Sequence, residues 1–129
     1  MSSKDKYLKN KERKSKTGEC ESVVRFGFAS FFGDCDGNTH TLVEANIRPL
    51  ENLIPEIENF GDCPVTLHFL QQNGGTIDKT VQPGDLITIS IPGRIILVTA
   101  TCECPCGSGE PTGVCDIEVF FTYIECICC

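Results

Sequence analysis

Apolar and polar residues alternate with a period of two along most of this chain. Val24, Phe26, Phe28, Ser30 and Phe32 share one parity, and Val23, Arg25, Gly27 and Ala29 take the other, the pattern of a half-buried strand. The cluster Gly33-Asp34-Cys35-Asp36-Gly37-Asn38 ends that run, and Thr39 to Ile47 is the next extended segment. Arg48 to Asp62 reads as mostly loop with one short strand, because Pro49 and Pro55 break any helix that Leu50, Ile54 and Ile57 suggest. Val65, Leu67 and Phe69 then alternate with Thr66 and His68, and Asn73-Gly74-Gly75 supplies the positive-φ residues of a hairpin turn into Thr76 to Val81. Gln82-Pro83-Gly84-Asp85 is a further turn, leading into Leu86 to Ile91. Pro92-Gly93 predicts another turn before a strand over Arg94 to Thr101. After a Cys-, Gly- and Pro-rich loop from Cys102 to Gly113, Cys115, Ile117, Val119, Phe121 and Tyr123 alternate with Asp116, Glu118 and Thr122, an amphipathic strand suited to the middle of a sheet.

Seven or eight strands spaced by about ten residues, with almost no helix, predict an all-β fold, an antiparallel β-sandwich or jelly roll. The 129 residues suffice for one domain that buries roughly two thirds of its unfolded surface. The organisation expected is a flexible basic arm over residues 1–18, a jelly-roll domain over 19–125 and a Cys-rich tip over 126–129. Apolar runs such as Ile95 to Val98 fall far short of the roughly 20 residues a spanning helix needs, so no membrane span is expected.

Charge is divided unevenly. Met1 to Lys16 holds seven basic and two acidic residues, a net of +5, whereas the remainder holds four basic and sixteen acidic residues, a net of -12. Such an arm can dock on an acidic neighbour, a second copy of the chain included, or it can remain a solvated disordered tail. A nucleic-acid partner is not expected. No apolar segment follows the basic residues, so the arm is not read as a secretory signal.

Ten cysteines are the most unusual feature: Cys20, Cys35, Cys63, Cys102, Cys104, Cys106, Cys115, Cys126, Cys128 and Cys129. Such a set suits metal ligation in a reducing compartment and crosslinks in an oxidising one. In an extended segment Cys102, Cys104 and Cys106 point the same way, towards one partner surface or one metal. Tetrahedral zinc would take a fourth ligand from Cys115, His40 or His68, although the spacing is not the repeated CxxC of zinc ribbons. Adjacent Cys128 and Cys129 are ill suited to bond each other and better suited to hold two partners. They and Cys126 fit bonds to other subunits, or else bridges back to the Cys102–Cys106 loop. The disulfide candidates, between or within subunits, are Cys20, Cys102, Cys104, Cys106, Cys115, Cys126, Cys128 and Cys129.

Catalytic patterns are thin. No Gly-x-Ser-x-Gly elbow, HExxH helix or Walker loop occurs. Gly107 to Gly113 has a spacing one residue too long for a dinucleotide fingerprint and joins strand to strand rather than strand to helix. His68 reads as a structural histidine within a strand, and Asp34 with Asp36 as turn chemistry more than a calcium site.

A set of elements carries a family likeness. Pro64-Val-Thr-Leu-His-Phe69 is followed by a Gly-containing hairpin, a polar turn and an Ile/Thr strand. A strand from Arg94 to Thr101 comes next, and Cys115 opens the run to Tyr123. Gly61 to Glu125 thereby resembles the core subunits of bacterial endospore appendages, the Ena fibres on spores of the Bacillus cereus group. The resemblance implies a jelly roll whose subunits stack by sheet augmentation and are locked by disulfides between an N-terminal connector and neighbouring cores. Cys115 matches that family's core cysteine on the last strand, and Cys20 stands where a second is expected. The chain departs from the family in its arm, which has no cysteine pair before Cys20; the adjacent pair lies at Cys128-Cys129. That departure suits a subunit that caps, starts or anchors a fibre.

The leading expectation is therefore a non-enzymatic structural protein of the spore surface, in exosporium or coat, made in the mother cell without a signal peptide. Its partners would be copies of itself or other appendage, coat or exosporium proteins, with no cofactor and no metal. The alternative is an intracellular zinc-binding module using Cys102, Cys104, Cys106 and Cys115.

Overall fold

A computed structural model describes residues 21–103 and 113–127. Eight strands follow one another: β1 (Glu21–Asp34), β2 (Thr39–Glu44), β3 (Leu50–Asn59), β4 (Val65–Gln71), β5 (Thr76–Val81), β6 (Leu86–Thr88), β7 (Ile91–Cys102) and β8 (Val114–Ile127). Every pairing is antiparallel, and no helix occurs among the described residues. The sheet runs β1-β8-β3-β7-β4-β5, with β2 added on β7 and β6 on β3. It folds over where the start of β3 pairs with the start of β7, Leu50 opposite Ile95 and Leu53 opposite Ile91. The result is the expected all-β sandwich: β1, β8, β3 and β6 form one layer, and β2, β7, β4 and β5 the other.

The core between the layers follows the period-two pattern. Val65, Leu67 and Phe69 of β4, Val98, Ala100 and Cys102 of β7, and Cys115, Ile117, Val119 and Phe121 of β8 are all buried. Each of the large aliphatic or aromatic side chains contributes on the order of 1.5–3 kcal/mol by leaving water. Strand β8 lies between β1 and β3, the central place its alternation predicts. The β4–β5 hairpin also forms where expected. Gly74 adopts φ 103°, and its N–H donates to the Gln71 carbonyl at 2.9 Å. In the turn before β6, Gly84 has φ 85° and the Asp85 N–H donates to the Gln82 carbonyl, as a Pro-Gly turn requires.

Two segments depart from the sequence reading, and in a third the structure decides what the sequence left open. Arg48 to Asp62 is not mostly loop, since β3 occupies ten residues of it and pairs with β8, β7 and β6. A register shift between Glu51 and Ile54, with Asn52 at φ 52°, restarts the alternation, so that Leu53, Pro55, Ile57 and Asn59 all point inwards. The prolines that exclude a helix do not exclude a strand with a bulge. Pro92-Gly93 likewise lies inside β7, whose register against β3 breaks nearby, between Glu51 and Leu53. In β1 it is the Phe26, Phe28 and Phe32 parity that faces outwards. Gly27 is the register partner of Phe121, and the Phe121 ring already fills the space a Cβ at Gly27 would need. Gly27, Ala29 and Phe31 therefore face inwards, and Phe26, Phe28 and Phe32 outwards.

The one buried polar side chain among the described residues is Asn59. Its amide donates to the carbonyls of Cys63 and Val81, each at 2.9 Å, and its Oδ1 accepts from the Gly61 N–H at 2.9 Å. It thus ties the β3–β4 loop to the end of β5. Asn59→Ala strands two buried carbonyls and one part-buried N–H, and a loss of about 2–3 kcal/mol in urea unfolding is expected.

At the far end of β8, Glu125 accepts from Arg25 Nε at 2.7 Å and from Arg48. The Arg25 hydrogen bond, and then that from Arg48, hold the carboxyl below its ordinary value of 4.5. A carboxylate lowered by folding stabilises the fold above its unfolded pKa, and that contribution disappears as pH falls through the folded value. Stability should therefore decline in acid below pH 4.5, and replacing both arginines with methionine should flatten that decline in a pH series of thermal melts.

Candidate functional site

Two features stand out once the fold is in place, a cysteine cluster at one pole and an aromatic face along β1. Cys35 follows β1, Cys63 sits in the β3–β4 loop, Cys102 ends β7 and Cys115 lies near the start of β8. Alternating antiparallel strands return these four chain segments to the same end of the sandwich, and backbone hydrogen bonds lock them side by side. The Cys35 N–H donates to the Gly113 carbonyl at 3.1 Å, Asp62 N–H to Val114 at 2.8 Å and Glu103 N–H to Pro64 at 2.9 Å. Gly61 makes this approach possible: a Cβ there would collide with the Val114 carbonyl and lie 2.7 Å from the Asp116 nitrogen. The four sulfurs lie within 4.8 Å of one another. Cys63, Cys102 and Cys115 are buried, and Cys35 is partly so, with its sulfur 3.0 Å from the Glu103 carbonyl oxygen. Cys102 is bonded to Cys115 with Cα atoms 6.1 Å apart, and Cys35 and Cys63 are also in the disulfide-bonded state.

The second feature is apolar. Phe26 is 78% exposed, Phe32 72%, Val24 56% and Phe28 53%, and across the ladder Phe120 adds a ring 4.7 Å from that of Phe28. Ile54 of β3 extends the same face. Beyond its pairing with β8, no strand pairs with β1 among the described residues.

Of the sequence-derived candidates, Cys102 and Cys115 come together. Cys126 pairs through its backbone with Ser22. Cys20, Cys104, Cys106, Cys128 and Cys129 lie outside the described residues, as does the basic arm. Cys35 and Cys63, absent from the candidate set, complete the cluster; both sit in turn-rich loops at strand ends, the one signal that could have placed them. The histidines have local roles. His68 bridges Asp78 and the Thr101 hydroxyl at 2.9 Å each, and His40 pairs with Asp36 and stacks on Phe31 at 4.2 Å. Asp36 also accepts from the Asn38 N–H at 2.8 Å, which lowers its pKa and closes the turn.

No family model matches the chain, and no curated protein does. Among solved structures, a subunit of the Bacillus endospore appendages, described as disulfide-linked pili, shares the fold. It has a TM-score of 0.53 at 14% identity, covering 80% of this chain and 89% of that one. A carbohydrate-binding module of family 29 aligns at a TM-score of 0.46 and 9% identity, over 79% of this chain and 92% of that one.

Because Gly61 lets the loop carrying Cys63 rest on the backbone around Cys115, Gly61→Ala should push that loop away. A loss of about 1–3 kcal/mol in urea unfolding is expected.

Proposed function

We propose that this chain is a non-enzymatic structural subunit that self-assembles into, or anchors, a disulfide-crosslinked appendage on the spore surface. The observation that carries this reading is the exposed aromatic face of the fourteen-residue edge strand β1. A long edge strand offers an unpaired row of backbone donors and acceptors, and contiguous exposed aromatics mark a surface built to be covered. Association of copies along β1 satisfies both. The fold shared with a disulfide-linked pilus subunit supports the same reading. With Cys102 and Cys115 bonded to each other, crosslinks between subunits fall to Cys20, Cys104, Cys106, Cys126, Cys128 and Cys129. The Lys-rich arm would meet the acidic body of a neighbouring copy, or a coat or exosporium protein, after synthesis in the mother cell. An open groove of ≈ 410 Å³ places Glu44 and Arg48 beside Val43, Leu50, Phe121 and Tyr123, with no nucleophile beside a base among these residues.

Negative-stain microscopy of the purified full chain, paired with SDS gels run with and without reductant, tests the reading. Rings or fibres, and oligomers that survive boiling until reductant is added, are expected; a dispersed monomer on both counts would overturn it. Phe26→Asp with Phe28→Asp should raise the concentration needed for assembly by about tenfold or more, as loss of central aromatic anchors does at other interfaces.

A further inference from the structure

We propose that the pole cluster Cys35, Cys63, Cys102 and Cys115, in its reduced form, is a closed tetrahedral site for one zinc ion. Four thiolates around zinc at about 2.3 Å stand roughly 3.8 Å from one another. The sulfurs here all lie within 4.8 Å of each other, so once the disulfides are opened, side-chain rotations that move the released sulfurs apart reach that geometry. Each of the four side chains offers one sulfur, and no carboxylate or imidazole belongs to the set. Thiolates alone favour zinc over the oxygen-seeking cations. Three of the four are buried and the fourth is partly covered, which suits a structural ion with no open position for substrate.

The ligands come from four separate chain segments, so the ion would hold together the same pole that the disulfides hold. The two states exclude each other. A dithiol reductant opens each disulfide by thiol–disulfide exchange: two electrons and two protons reach the pair of sulfurs, and the reductant leaves as its own disulfide. Zinc then replaces the thiol protons, which pass to solvent. Oxidation by a disulfide-exchange partner reverses this, removing ligands in pairs and expelling the ion. The site differs from one built on Cys102, Cys104, Cys106 and Cys115, because Cys35 and Cys63 take the places of Cys104 and Cys106.

The test uses the full chain, reduced anaerobically with a dithiol, freed of reductant and titrated with cobalt(II) and then zinc. One cobalt per chain is expected, with the intense visible bands of tetrahedral tetrathiolate coordination, bleached by one equivalent of zinc. Cys63→Ser should weaken binding by more than the roughly 10–100-fold that loss of an outer-shell partner costs. Cys104→Ser with Cys106→Ser should leave stoichiometry and spectrum unchanged. Alkylation of the zinc-loaded wild-type chain, mapped by mass spectrometry, covers the case in which Cys63→Ser fails to fold. Protection at Cys35, Cys63, Cys102 and Cys115 is expected. Absence of a tetrahedral cobalt spectrum, or protection falling instead on Cys104 and Cys106, would overturn the proposal. Neither result depends on whether copies assemble.

Discussion

Strand β3 has to satisfy two layers at once, and the rest of the molecule is arranged around that constraint. Its first residues pair with β7 of the opposite layer, and its later ones pair with β8 on one edge and β6 on the other. A strand in that position can keep neither a single register nor a single direction, and the bulge at Asn52 absorbs the change. Downstream of it, every second side chain reaches the core, ending in Asn59. The loop that follows is fixed to the start of β8 by backbone hydrogen bonds from Phe60 and Asp62. The geometry that closes the sandwich therefore also delivers Cys63 to Cys115.

The interior of the fold is fully satisfied, and its exposed apolar surface lies outside. The core is apolar, Asn59 has all its partners, and no buried side-chain nitrogen or oxygen among the described residues lacks a hydrogen bond. The outer face of β1 is the opposite case, a row of phenylalanines left in water by the way Phe121 fills the inner space over Gly27. Folding leaves those rings exposed, and the proposed association of copies would cover them. The cysteines divide in a comparable way. Those at strand ends converge at one pole of the fold, whereas Cys126 lies within β8, paired through its backbone with Ser22 of β1.

The sequence reading was most reliable where a local rule decides the outcome. Alternation in β4 and β8, the Asn-Gly-Gly hairpin and the Pro-Gly turn before β6 each depend on residues close together in the chain. It was least reliable for β3. Prolines excluded a helix there, but nothing local showed that a bulge would restart the alternation and bury Pro55 in a paired strand. In β1 the two parities were legible, yet which of them faced inwards depended on Phe121, about a hundred residues away in the chain. The cysteines show the same limit. Cys35 and Cys63 resemble turn residues until the strands around them are placed.

The amino-acid sequence by itself determined the all-β class, the approximate strand count, the β4–β5 hairpin and the division of charge between a basic N-terminal segment and an acidic remainder. Those properties follow from period-two alternation, turn chemistry and charge, all of which act over a few residues. Only the tertiary structure decided that β3 joins the two layers, that the phenylalanines of β1 stay outside, and that four cysteines from distant segments share one pole. Each of these rests on which surfaces compete for the same space, and that competition exists only once the sheets have packed.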